Sequence, residues 1–405
     1  MARMRVVLAG IVAVGISGCL GPRALQRGRL EYNRAVRATE DQELLLNIVR
    51  LRYLDGLKFL NVGSISTQFS YDAGFGVVQN TAVTDKDHPG FSLNTAVSER
   101  PTISYAPAEG EEFTRRLISP VDLPLVALMS SSGWPVDRIL LLAMSHVNGV
   151  PNTPFTDFGA DGRPDNREFR EAVEALARLQ RQGGVELTWQ EVPSALSPEV
   201  PLAAPSSADV MAASAKGLEY RKHPSGKGWV LERRDRQPVL RFSPACAQSD
   251  DARRFRKAFG LKPGETVYPM RAAAQGQTAT ARVGWDGGTL WVSTRSLMEM
   301  MYYLSVGVTV PPAHQAKGEV PILKDAHGHP FDWQNFLAGQ FCIESGKERP
   351  GHASLAVKHR DHWFWIAESD LASRSRLSDL AEMFNLVVRA GGSTQAPVLT
   401  LPVGR

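Results

Sequence analysis

The sequence predicts an α+β protein: an N-terminal helix and a long amphipathic β-hairpin with a helical pair, followed by mixed α+β lobes. Two observations carry this. The apolar residues between Leu25 and Leu54 recur at spacings of three and four, while those between Ser64 and Val97 alternate with polar or small ones on either side of a loop. Beyond residue 165, short runs of both periods take turns.

The N-terminal helix is expected over Leu25–Leu54, with Leu44, Leu45, Ile48, Val49, Leu51 and Tyr53 as a broad core-facing stripe. Glu40, Asp41 and Glu43 precede Arg50 and Arg52, the order that suits the helix dipole. Asn47 and Arg50 read as satisfied packing contacts.

From Ser64 to Val77 the odd positions are Ile65, Thr67, Phe69, Tyr71, Ala73, Phe75 and Val77, and the even ones are Ser, Gln, Asp or Gly. After a loop with Asp85, Lys86, Asp87, Pro89 and Gly90, Phe91, Leu93, Thr95 and Val97 alternate with Ser92, Asn94, Ala96 and Ser98. These two strands read as one hairpin. Its pattern fits two environments: a sheet with one face on a core and one in water, or a strand pair of a membrane barrel with its polar face to a lumen.

A helical pair follows, Leu123–Met129 after Pro120 and then Pro135–Val147 after Gly133. Gly149, Pro151, Asn152 and Pro154 open an expected linker reaching Pro164. Residues 165–262 read as a small α+β domain: helix 166–182, strand 185–192, a Pro, Ala and Ser-rich loop, helix 209–216, strands at Tyr220, 229–233 and 239–242, and helix 251–259. Residues 263–405 hold two strand-to-helix units. In the first, Leu290-Trp291-Val292 runs into a helix capped at Ser293 or Thr294; in the second, Phe364-Trp365-Ile366 runs into one capped at Ser373 or Ser375. Strands at 341–343, 354–358 and 398–401 complete the sheet, with turns at Asp286-Gly287-Gly288 and Arg360-Asp361.

The expected domains are thus a leader at 1–18, a helix, hairpin and helical-pair domain at 19–150, and the two α+β lobes at 165–262 and 263–405. The leader carries Arg3 and Arg5, an apolar stretch from Val6 to Ile16, and the small residues Ser17 and Gly18 before Cys19. That stretch is shorter than the roughly 20 residues a spanning helix needs.

Ile16-Ser17-Gly18-Cys19 resembles the lipobox of bacterial lipoproteins, with Ile16 where that family most often has Leu. The resemblance covers about twenty residues and the body of the chain resembles no characterised family. It implies cleavage before Cys19 and lipidation there, by a covalent diacylglycerol and an N-acyl chain, with no other cofactor. Several acyl chains on one residue give lasting attachment, which a single chain does not. Leu20, in place of the Asp that resembles an inner-membrane retention signal, implies the outer membrane, with the body facing the periplasm.

Composition adds limits. Removing Arg3 and Arg5 lowers the formal charge from +4 to +2, so nothing favours nucleic acid as a partner. With Cys19 lipidated, Cys246 and Cys342 remain, as a disulfide across a long loop or as two buried thiols. The sequence holds no G-x-S-x-G, S-x-x-K, Walker loop or H-E-x-x-H. His327 and His329, beside Asp325 and upstream of His362, are the residues with metal-like types, but no third ligand falls at a diagnostic spacing, and a polar turn closed by Gly328 and Pro330 is the simpler account of them. The expectation is a structural, assembly or protein-interaction lipoprotein whose partners are the membrane, other envelope proteins or further copies of itself. The alternative is an envelope enzyme or ligand- or metal-binding lipoprotein with a site in the C-terminal domain, near His327, His329 and His362.

Overall fold

The computed structural model describes residues 20–78, 90–153, 164–197, 204–223, 226, 228–273, 286–325 and 327–389. The fold is α+β, and the chain forms two compact units: Met1–Glu40 with Leu57–Phe113, and Asp41–Gly56 with Thr114–Arg405.

Helix α1 (Leu20–Arg52) ends in the second unit. There Leu44, Leu45, Ile48, Val49 and Leu51 are buried as the spacing predicts, each contributing roughly 1.5–3 kcal/mol. Asn47 is fully buried and accepts a 3.1 Å hydrogen bond from Arg50. Leu54 then turns the chain out of the helix with φ 59°.

The first unit is dominated by β1 (Leu60–Val78) and β2 (Gly90–Pro107), an antiparallel two-stranded sheet. Both strands run beyond the bounds the alternation alone predicts. Ala108 donates to the Phe59 carbonyl at 2.9 Å, and Phe59 meets Phe113 edge-on at 5.7 Å, closing the base of the ribbon.

The second unit contains α2 (Glu111–Ile118) from Thr114 on, α3 (Leu123–Ser131), α4 (Val136–Ala143), β3 (Met144–Val147), β4 (Val150–Pro151), α5 (Arg167–Arg181), β5 (Val185–Ala195), α6 (Ser207–Ser214), β6 (Leu218–Lys222), β7 (Trp229–Phe242), α7 (Asp250–Ala258), β8 (Val267–Ala272), β9 (Leu290–Thr294), α8 (Leu297–Ser305), α9 (Pro312–Ala316), α10 (Trp333–Phe336), β10 (Glu344–Gly346), β11 (Ala353–His359), β12 (His362–Ala367) and α11 (Leu371–Phe384). One mixed sheet has the order β4-β3-β9-β8-β7-β5 with β6 on β7, and a second has the order β10-β12-β11.

Several local expectations change. The second helix of the pair stops at Ala143, and Met144–Val147 becomes a strand because β9 offers it an antiparallel partner. The expected linker begins as a hairpin: Asn148 (φ 46°) and Gly149 (φ 71°) join β3 to β4 in the left-handed conformations that a two-residue turn requires. Buried Asn148 locks that turn, donating to the Phe259 carbonyl and accepting from Trp291 N–H, both at 2.7 Å. The strands expected at 229–233 and 239–242 are one, because β5 pairs with β7 across the polar interval. Helix α8 is capped by Ser296 in a reciprocal capping box with Glu299, and α11 by Asp370, which accepts from Ser373 N–H. The turn at Arg360-Asp361 is present, with both residues at positive φ. β9 pairs with β3 on one edge and β8 on the other, and the residues that would enter the Asp286–Gly288 turn lie outside the described residues. The strand expected at 398–401 lies outside the described residues.

The core of this unit is aromatic and tight. Phe169, Phe242, Phe255, Phe259 and Tyr268 are buried in mutual edge contacts of 5.0–5.9 Å. Arg295, 2% exposed, donates to the carbonyls of Leu141, Leu142 and Asn152 and lies 4.0 Å from the Tyr303 ring. Burial pushes its pKa down to about 10, so it stays charged at neutral pH.

Candidate functional site

Two places merit attention: the ribbon of the first unit, and the polar cluster that gathers histidines in the second.

The register of the ribbon turns the sequence alternation into two continuous faces. From Ile65 to Val77, odd positions on β1 stand opposite odd positions on β2: Ile65 opposite Ile103, Tyr71 opposite Val97, Phe75 opposite Leu93 and Val77 opposite Phe91. Directly opposed residues lie on the same side of a sheet. Nearer the base the apolar residues of β1 switch parity to Leu60 and Val62, which would move them to the other side. A bulge between Val62 and Ser64 absorbs Gly63, so Val62 faces Tyr105 and Leu60 faces Pro107, and the apolar positions return to the same side, where Glu99 opposite Phe69 is the one charged position. The opposite face pairs Ser66 with Thr102, Gln68 with Arg100, Ser70 with Ser98, Gly74 with Asn94 and Gly76 with Ser92. At the base, Leu60, Ile103 and Tyr105 are exposed. Among the described residues neither strand pairs with a third. That arrangement presents an apolar surface and two strand edges to whatever meets them.

The histidines fall into separate places. His327 and His329 sit in a tight turn in which Asp325 accepts from both of their backbone N–H groups, at 2.8 and 2.9 Å, around Gly328 at φ 82°. This is the polar turn of the sequence reading. His362 packs instead on His314, with ring centroids 4.3 Å apart. Among the described residues no three His, Cys, Asp or Glu side chains are placed to hold a metal ion.

Around His362 and His314 the structure builds a cluster. The Tyr53 hydroxyl shares a 2.7 Å hydrogen bond with His314 Nδ1, and the Arg360 guanidinium reaches Asp55 at 2.9 Å and Glu319 at 3.3 Å while lying over the Tyr53 ring. His359 Nε2 is 3.1 Å from Asp55 Oδ2, a contact not aligned as a hydrogen bond. Burial holds both His314 and His359 below the usual histidine value, aided at His314 by the neighbouring His362, and pushes the Tyr53 hydroxyl up to about 12. One cation shared by two carboxylates forms a latch between the end of α1, the Glu319 loop and the β11–β12 turn. Tyr53 and Asp55 lie 261 and 305 positions from His314 and Arg360, and Glu319 lies 41 from Arg360, so no local pattern announces them.

Cys246 and Cys342 are free thiols in different settings. Cys246 lies against Gly184, whose position a Cβ could not share, and Cys342 lies beside Thr309, with burial pushing its thiol up. Cys19 lies outside the described residues. No helix among the described residues is long and apolar enough to cross a membrane. No known protein family, curated protein or solved structure matches the chain.

Proposed function

We propose that this chain is an outer-membrane lipoprotein of the bacterial envelope, held by a diacylglycerol and an N-acyl chain on Cys19, facing the periplasm, and working through protein contacts in a structural or assembly role. The observation that carries the contact role is the ribbon: eighteen opposed pairs with one mainly apolar face, interrupted at Glu99 and kept to one side by a bulge, and no third strand among the described residues. An isolated two-stranded hairpin is marginal in water. Keeping a single apolar face over that length is of use to a surface that meets a partner.

The anchor and the contacts are tested separately. Growth with a labelled fatty acid is expected to label the chain, and Cys19→Ser to abolish both the label and partition into the detergent phase. An unlabelled wild-type chain overturns the anchor. Native-size analysis of the detergent-extracted protein is expected to give an assembly larger than the 44.3 kDa chain, lost when residues 63–105 are deleted. A monomer overturns the contact role.

A further inference from the structure

We infer that residues 70–78 and 90–98 enter the bilayer as two strands of a barrel whose remaining strands come from further copies of this chain. This rests on the contact role proposed above and names the partner.

Between residues 60 and 107 the charged side chains are Asp72, Asp85, Lys86, Asp87, Glu99 and Arg100. The register sets Glu99 opposite Phe69 and Arg100 opposite Gln68, at one level of the ribbon, while Asp85, Lys86 and Asp87 belong to the connection beyond Val78 and before Gly90. The interval between these two charged levels is Ser70–Val78 paired with Gly90–Ser98, nine levels. At about 3.3 Å per residue this is about 30 Å of strand, and a tilt of about 40° gives about 23 Å of depth, close to the roughly 25 Å apolar band of membrane barrels. The whole ribbon is twice too long for such a layer. The interval between the two charged levels is not.

The faces agree with that interval. On one side stand Tyr71, Ala73, Phe75, Val77, Phe91, Leu93, Thr95 and Val97; aromatic positions occur toward both ends, as in the interfacial girdles of barrels. On the other stand Ser, Gly, Asn and Ala positions with Val78 at the far end, and Asp72 is the charge within the interval, on this side. A soluble two-layer sheet needs no such charge limits, so the bounded interval favours lipid over a water-exposed sheet.

Edges decide the partner. In hydrocarbon every backbone donor and acceptor needs a protein partner, and a two-stranded ribbon leaves one edge of each strand open. Because β1 and β2 are antiparallel, β2 of one copy meets β1 of the next in the same antiparallel sense, and a rotational ring of identical ribbons closes without an edge. Two strands per copy also give the even strand number usual for such barrels.

The test uses the full lipidated chain, purified in detergent and added to planar bilayers of phosphatidylethanolamine and phosphatidylglycerol. Stepwise conductance is expected. Phe75→Asp and Leu93→Asp, which place a charge on the lipid side, are expected to cut insertion events about 30-fold or more. Asp72→Asn is expected to keep the conductance and lower its cation preference. Circular dichroism of the variants' bodies checks that folding is intact. An assembly without conductance, or a Phe75→Asp and Leu93→Asp pair as conductive as wild type, overturns the barrel while leaving the contact role standing; a monomer overturns both.

Discussion

The sheet of the second unit and the ribbon of the first use the same antiparallel grammar to opposite ends. In β7, Val239, Leu240 and Phe242 are at most 3% exposed, and the aromatic core closes over them. In β2, Ile103 and Tyr105 are 41% and 60% exposed. The sheet places its apolar positions inside its own unit, where they supply stability. The ribbon keeps Ile103 and Tyr105 on a surface, where they are available to a neighbour. The difference teaches that alternation alone reports a two-faced strand and leaves open which environment the apolar face meets.

Arg295→Met would leave the Leu141, Leu142 and Asn152 carbonyls buried without their donor, and is expected to destabilise the second unit by about 3 kcal/mol or more, read by denaturant unfolding. Assembly through the ribbon should persist wherever the unit remains folded. Gly307→Ala comes next. Its Cβ would sit 2.7 Å from the Phe341 carbonyl oxygen and 2.9 Å from Leu337 Cδ1, and backbone cannot step aside, so a loss of about 1–3 kcal/mol is expected in the same assay. A neutral result for either would mean that this interior is looser than its packing.

Acid gives a smaller effect of defined sign. Burial holds His314 and His359 below the ordinary value of 6.5, against the pull of Glu319 and Asp55 and with the help of Arg360, Lys317, His362 and Arg50. The unfolded chain therefore binds protons that the folded one resists. Stability is full above pH 6.5 and falls as the pH drops through 6.5 toward the lowered folded values. Melting temperatures measured from about pH 8 to about pH 5 are expected to decline, and His314→Gln to flatten the decline. A curve that rises on acidification would show that the carboxylates, and not burial, govern the latch.

How much of this was legible depends on range. The α1 stripe, the hairpin and the Arg360-Asp361 turn are local patterns, and they form as read. Asn148-Gly149 was equally local, a two-residue hairpin signal hidden inside what reads as a linker. The parity switch from Val62 to Ile65 was also visible in the sequence, and a bulge is its physical meaning. By contrast, β3 is a strand because β9 lies beside it, and the Tyr53, Asp55, His314 and Arg360 cluster joins residues hundreds of positions apart. Strands drawn from 144–151, 185–195, 218–242, 267–272 and 290–294 share one sheet, across the boundaries expected near 150 and 262. Long-range pairing leaves no mark on local periodicity, and the cluster's members are ordinary polar residues until the fold brings them together.

The smallest expected effect sharpens the comparison most. Ile103→Ser and Tyr105→Ser alter apolar positions that are already exposed at the ribbon's base, so unfolding of the second unit should stay within about 0.5 kcal/mol of wild type. The same substitution type at a buried position such as Val239, fully enclosed in β7, removes core contacts and should cost several times more. If Ile103→Ser instead cost as much as Val239→Ser, the ribbon's apolar face would be a core face after all. The contact role would then lose its physical basis, because a face that stabilises its own protein is not one held open for another.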